Sequence, residues 1–212
     1  MEDYQHLSPH RPQRSGDRAF EPLPPDDPFH YSHLDLPRGD LWVYTYGSLM
    51  WNPGFRFVDS APALLRGYHR TFCIYSSRYR GTVAAPGLVL GLDRGGACKG
   101  TAYRVAAADI AAALEALWQR EMRRRVYVPR LLPVAMGARR RMALTFLANR
   151  RHDGYAARLT LDETADIIAA RCGERGPNVD YLVNTLCHLD ALGVHDHHLY
   201  RLLAAVRARQ GR

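Results

Sequence analysis

In Leu41-Trp42-Val43-Tyr44-Thr45-Tyr46-Gly47-Ser48-Leu49, a run of aromatic, aliphatic and β-branched residues meets a glycine. Such a run suits a pleated, largely buried strand. A glycine at its end lets the backbone turn with its amides pointing outward, where they can bind an anion without any charged side chain. An ordinary strand-ending turn has the same composition, so the tripeptide alone leaves both readings open. Similar short runs follow at residues 71–76, 88–92, 100–105, 126–134 and 142–148, separated by Gly, Pro and Arg turns. One helix is expected among them, at residues 107–123.

Beyond residue 149 the pattern changes. Thr160 with Glu163 forms a capping-box pattern ahead of a helix ending near Arg171, with Gly173 as its stop. Gly176-Pro177 opens a further helix through Leu192, ended by Gly193. Asp196 can cap a last one with Leu199, Leu202, Leu203 and Val206 on one face. Strands early and helices late indicate an α+β domain at residues 40–212. Residues 1–39 are rich in Pro, Asp, Arg and His without an apolar period, and read as a mobile tail.

A chain of 212 residues with 47% apolar content suits one domain with a substantial core. No stretch approaches the ~18 consecutive apolar residues that span a bilayer. The start, Met1-Glu2-Asp3-Tyr4, lacks a basic segment followed by an apolar one, so the expectation is a soluble, cytoplasmic protein with no membrane partner. The four cysteines are widely spaced, without a Cys-x-x-Cys pair, and read as free thiols. The formal charge of +8 comes almost wholly from arginine, Lys99 being the one lysine. The arginines cluster at 123–125, 139–141 and 150–151 with no nucleic-acid motif around them, so a small anionic substrate is expected rather than nucleic acid.

The helix from Ile110 to Met122 places one charge where an apolar residue belongs. At ~100° per residue, Ile110, Leu114 and Leu117 share a face, and Glu121 falls near the middle of that stripe. Glu115 and Gln119 fall opposite and can face water. A carboxylate on an apolar face is tolerated when paired or functional. One reading is a salt bridge to Arg120, Arg124 or Arg125. The other is a desolvated general base with its pKa raised toward neutrality.

These residues resemble the ChaC-type family of glutathione-specific γ-glutamyl cyclotransferases. The resemblance runs in order through Tyr44-Thr45-Tyr46-Gly47-Ser48-Leu49-Met50-Trp51, Tyr79-Arg80-Gly81-Thr82 with Pro86-Gly87-Leu88-Val89-Leu90-Gly91-Leu92, Gly100-Thr101-Ala102-Tyr103-Arg104, Arg120-Glu121-Met122 and Gly176-Pro177-Asn178-Val179-Asp180-Tyr181-Leu182. It implies a compact mixed β-barrel flanked by helices. It implies Glu121 as acid/base and the turn of Thr45, Tyr46, Gly47, Ser48, Leu49 and Met50 as the substrate-binding loop. The implied substrate is glutathione, cleaved to 5-oxoproline and Cys-Gly without metal or cofactor. Two positions depart from the family pattern, Thr45 and Arg124-Arg125, where the family usually has glycine.

Other readings attach to the same residues. The enzyme can be a cyclotransferase for other γ-glutamyl compounds, or the fold can serve a non-catalytic binding protein. Ser48 lacks the Gly-x-Ser-x-Gly elbow of a serine hydrolase. Tyr103 and Tyr181 are cavity candidates that fit a core equally well. His195, His197 and His198, with His188 one helix earlier, read as a surface group rather than a metal site.

Overall fold

A computed structural model describes residues 23–211. Strand β1 (Leu41–Thr45) is followed by a 3-10 turn, Ser48–Met50, and by two long strands, β2 (Asp59–Ser76) and β3 (Gly87–Val105). Helix α1 (Ile110–Glu121) precedes β4 (Tyr127–Met136) and β5 (Arg139–Ala148). Helix α2 (Leu161–Ala170), the short pair β6 (Cys172–Gly173) and β7 (Gly176–Pro177), α3 (Asn178–Ala191) and α4 (His197–Gln210) complete the chain. The five long strands close a barrel in the order β1-β3-β2-β4-β5. All neighbours are antiparallel except the closing pair, where β1 runs parallel to β5 with Trp42 opposite Ala143 and Val43 opposite Leu144.

Three of the expected short strands are parts of two long ones. Residues 88–92 and 100–105 both belong to β3, and residues 71–76 are the second half of β2. The register slips between Arg66 and Tyr68, at Gly67 with φ +84°. A bulge shifts the inward face by one residue, so a fixed two-residue count loses the strand there.

Alternation along β1 divides the core. Leu41 and Val43 join Leu114, Leu117, Trp118 and Met122 beneath α1, while Tyr44 and Tyr46 join a second cluster built with α2, α3 and α4. The helix caps follow the sequence signals: Thr160 accepts from the Glu163 amide in a full capping box, and Asp196 accepts from the Leu199 amide. Asn178, fully buried, fixes the start of α3 to the barrel. Its Oδ1 accepts from the Leu88 amide at 2.6 Å and its Nδ2 donates to the Leu88 carbonyl at 2.8 Å.

The segment ahead of β1 departs from the tail expected there. Residues 1–22 lie outside the described residues, but Leu23, Phe29, Tyr31, Leu34 and Leu36 pack against the cluster under α1. The Trp118 indole donates to the Phe29 carbonyl at 2.9 Å, and Asp27 pairs with Arg125 at 2.6 Å. These anchors are irregularly spaced, so neither a two-residue nor a 3.6-residue period reveals them. A chain beginning at Gly39 is therefore expected to melt about 5 °C or more below the full chain by differential scanning calorimetry. Coincident melting curves would show that the segment contributes nothing to the fold.

Candidate active site

Helix α1 presents Leu114, Leu117 and Trp118 to the core, and one turn later the same face carries Glu121 at the helix end. Glu115 and Gln119 lie on the wet side, bonded to each other at 3.2 Å. The Glu121 side chain is 15% exposed, with Oε1 3.3 Å from Arg120 Nε. Burial raises its pKa to about 6, and the Arg120 charge lowers it by less. The ion pair and the desolvation thus occur together at this residue, and desolvation outweighs the pair. The reason lies in where the guanidinium is spent: Arg120 Nη2 donates to Ser48 Oγ at 2.8 Å and Nη1 to the Asn52 carbonyl at 2.6 Å.

Arg120 thereby ties α1 to the turn after β1. In that turn the Met50 amide bonds the Gly47 carbonyl at 2.8 Å, leaving the Ser48 and Leu49 amides at the open start of a single 3-10 turn. Tyr103 donates its hydroxyl to the Met50 carbonyl and pins the far side. Three residues expected in the loop offer no free side chain: Thr45 donates its hydroxyl to the Thr101 carbonyl at 3.0 Å, while Leu49 and Met50 are buried. Gly47 lies beside α3, since a Cβ there would stand 3.8 Å from the Tyr181 hydroxyl.

Three buried tyrosines lie close enough to Glu121 to feel its charge. Burial holds the phenols of Tyr46 and Tyr127 well above their ordinary pKa, with the Glu121 charge adding to the effect, and pushes Tyr181 up to about 12. All three are therefore protonated. Tyr46 donates to the Phe146 carbonyl at 3.0 Å and Tyr127 to the Leu90 carbonyl at 2.9 Å. Tyr181 differs in having the Arg80 guanidinium 5.7 Å from its ring centre, with the Leu90 backbone offsetting part of the effect of burial. Ser48 and Glu121 are linked through Arg120, and Tyr46, two residues before Ser48, feels the Glu121 charge. Tyr127 was unmarked in the sequence, and Tyr181 was readable there as a cavity or a core residue alike.

Arg124 and Arg125, the second departure, take different roles. Arg125 sits at φ +54°, the left-handed region that glycine occupies without strain, and is held by Asp27. Arg124 donates to the Tyr75 carbonyl at 3.2 Å near Tyr127. Cys73, beside the same cluster, is buried with its thiol pushed up to about 12, which suppresses thiolate chemistry. Among the described residues no three His, Cys, Asp or Glu side chains converge as metal ligands. No helix among them is long and apolar enough to cross a membrane.

The family described as ChaC-like protein matches residues 41–209. The chain is 36% identical over 170 residues to the glutathione-specific gamma-glutamylcyclotransferase of Escherichia coli (strain K12), covering 80% of this chain and 74% of that protein. It is 32% identical to the Schizosaccharomyces pombe protein of the same name, covering 81% of this chain and 94% of the relative. Among solved structures, a selenomethionine-labelled gamma-glutamyl cyclotransferase specific to glutathione, from yeast, superposes with a TM-score of 0.73 at 22% identity. That match covers 80% of this chain and 96% of the other, and shows a shared fold.

Proposed function

The chain belongs to the ChaC-like family, and from that premise we propose that it is a glutathione-specific γ-glutamylcyclotransferase, with Glu121 as its acid/base. The observation that carries the reading is the desolvated Glu121 carboxylate, with a pKa of about 6, next to the turn that follows β1. In the reaction the substrate's α-amine attacks its own γ-carbonyl carbon. The new C–N bond closes the ring of 5-oxoproline as the bond to the cysteine nitrogen breaks.

An α-ammonium is mostly charged at neutral pH, with a pKa near ~8, and must lose a proton before it attacks. A carboxylate with a pKa of about 6 is ionised at neutral pH yet basic enough to share that proton. Glu121 takes that proton and passes it to the departing cysteine nitrogen. It then accepts the second proton that the new ring nitrogen sheds, which leaves on the Cys-Gly amine as its ammonium; acid and base are one group and both protons are accounted for. The Ser48 and Leu49 amides, with Tyr46 and Gly47 setting the turn, hold the α-carboxylate. Thr45, Leu49 and Met50 serve through backbone and packing rather than side-chain contact. Tyr181, protonated and with its hydroxyl beside Gly47, donates to substrate.

We place the catalytic domain at residues 40–212 with the segment before β1 packed on it. A reducing cytoplasm suits the four free cysteines, two of them exposed. The test is direct. Purified protein incubated with glutathione should release equimolar 5-oxoproline and Cys-Gly, unaffected by a chelator, since an internal amine expels the leaving group and no water needs activation. Turnover lost to the chelator and restored by zinc would overturn the metal-free route. A substrate panel in which other γ-glutamyl amides react and glutathione does not would overturn the substrate.

A further inference from the structure

A cavity of about 550 Å³ opens where the bend of β2 and β3 meets the turn leading into α4. That volume suits a small organic ligand. It shares no lining residue with the Glu121 site. Its floor holds Arg70, whose side chain is only 3% exposed. Nη2 donates to Cys98 Sγ at 3.3 Å and to the Lys99 carbonyl. Nε and Nη1 are buried without a hydrogen bond. The nearest carboxylate oxygen, Asp196 Oδ2, stands 3.7 Å from Nη1, and Oδ1 of the same group is engaged by the Leu199 amide at 3.2 Å.

Even with the Asp196 ion pair at 3.7 Å, a buried guanidinium with two donors lacking a hydrogen bond is costly, and further negative charge nearby lowers that cost. The rest of the lining favours an anion. Lys99, the chain's one lysine, stands exposed at the rim. The first turn of α4 faces the same space through His197 and His198, whose amides precede the one that Asp196 caps. Helix-start amides and the helix dipole together attract negative charge. His69 and His195 add ring nitrogens: His69 Nδ1 meets the Gly95 carbonyl at 3.1 Å, and His195 stacks on Tyr200. Among the lining side chains Arg70 and Lys99 stand against the one carboxylate of Asp196, with Asp190 just outside, 3.5 Å from His195 Nδ1.

We propose that this cavity binds a small phosphorylated anion, with Arg70 supplying charge from behind while Lys99 and the first amides of α4 make the contact. A phosphoryl group matches the donor set better than a carboxylate does, because it offers three oxygens to donors arriving from separate elements. The proposal is independent of the reaction at Glu121.

The experiment titrates the full-length protein with inorganic phosphate and, separately, adenosine monophosphate. Calorimetry and thermal shift are the readouts, at ionic strength fixed with chloride. Saturable one-to-one binding with a rise in melting temperature is expected for at least one of the two, and which one tells a free ion from a phosphate ester. Lys99→Gln, a surface change that leaves folding intact, should weaken binding at least ~10-fold. Arg70→Met should abolish it while glutathione turnover persists. Should Arg70→Met fail to fold, Lys99→Gln decides alone. Absence of saturation in the wild type, or binding by either folded variant at the wild-type level, overturns the proposal.

Discussion

Glu121→Gln is expected to lower glutathione turnover by at least ~10² while the protein stays folded, because it keeps size and hydrogen bonding but removes the proton acceptor. The wild-type rate should climb with pH through an inflection near the carboxylate's pKa of about 6, and the residual activity of the variant should lack that inflection. The same substitution should stabilise the fold. A carboxyl whose pKa rises from 4.5 to about 6 on folding binds its proton more tightly in the native state, so stability falls as pH rises across that interval and stays reduced above it. Gln has no charge to bury and should recover up to about 2 kcal/mol at pH 8 and nothing below pH ~4. Glu115→Gln, on the wet face of α1, should move stability by no more than ~0.5 kcal/mol and turnover hardly at all. A folded Glu121→Gln protein with near-normal turnover would leave Glu121 as half of an ion pair with Arg120 and end its catalytic assignment.

Gly100→Ala is expected to destabilise the domain by about 3 kcal/mol or more, the range of an overpacked core that cannot relax. A Cβ at this position would stand 2.2 Å from the Thr45 carbonyl oxygen and 2.8 Å from the Tyr44 hydroxyl. Neither neighbour can yield easily. Thr45 is the last residue of β1, paired with Thr101, and Tyr44 is held by the Cys98 carbonyl at 2.7 Å. The strand that must move leads directly into the Gly47 turn, so a folded fraction should also bind glutathione more weakly. Melting should fall by about 10 °C for a chain of this size. A drop under about 2 °C would mean that β1 and β3 separate freely at Gly100.

What the sequence disclosed, and what it hid, follows from how local each signal is. The stripe of Leu114, Leu117 and Glu121 repeats within three helical turns, so the odd carboxylate is visible without neighbours. Thr160 and Asp196 cap helices that start one residue later, and both were readable. The first half of β2 was lost at the Gly67 bulge, where the alternation changes phase. The anchors Phe29 and Tyr31 follow no period because they fill gaps beside Trp118 rather than form a face. Tyr127 and Tyr181 reach Glu121 from β4 and α3, and no spacing along the chain encodes that meeting. The idle donors of Arg70 were equally invisible, since an arginine on a strand reads as a solvated charge until its surroundings are known.

The parallel pairing of β1 with β5 sets an order of assembly. The β2–β3 and β4–β5 pairs join neighbours in sequence, and chain closure favours such local contacts first. Strand β1 cannot meet Ala143 and Leu144 until the chain has been made past them, and the Tyr46 hydroxyl finds the Phe146 carbonyl across the same gap. On a ribosome, the turn that precedes Ser48 therefore waits as an unfinished edge through roughly a hundred residues of synthesis, or about 5–20 seconds at the usual rate. The barrel closes only with its last strand, so a nascent fragment ending before β5 lacks the Phe146 carbonyl that holds Tyr46 ahead of the Gly47 turn.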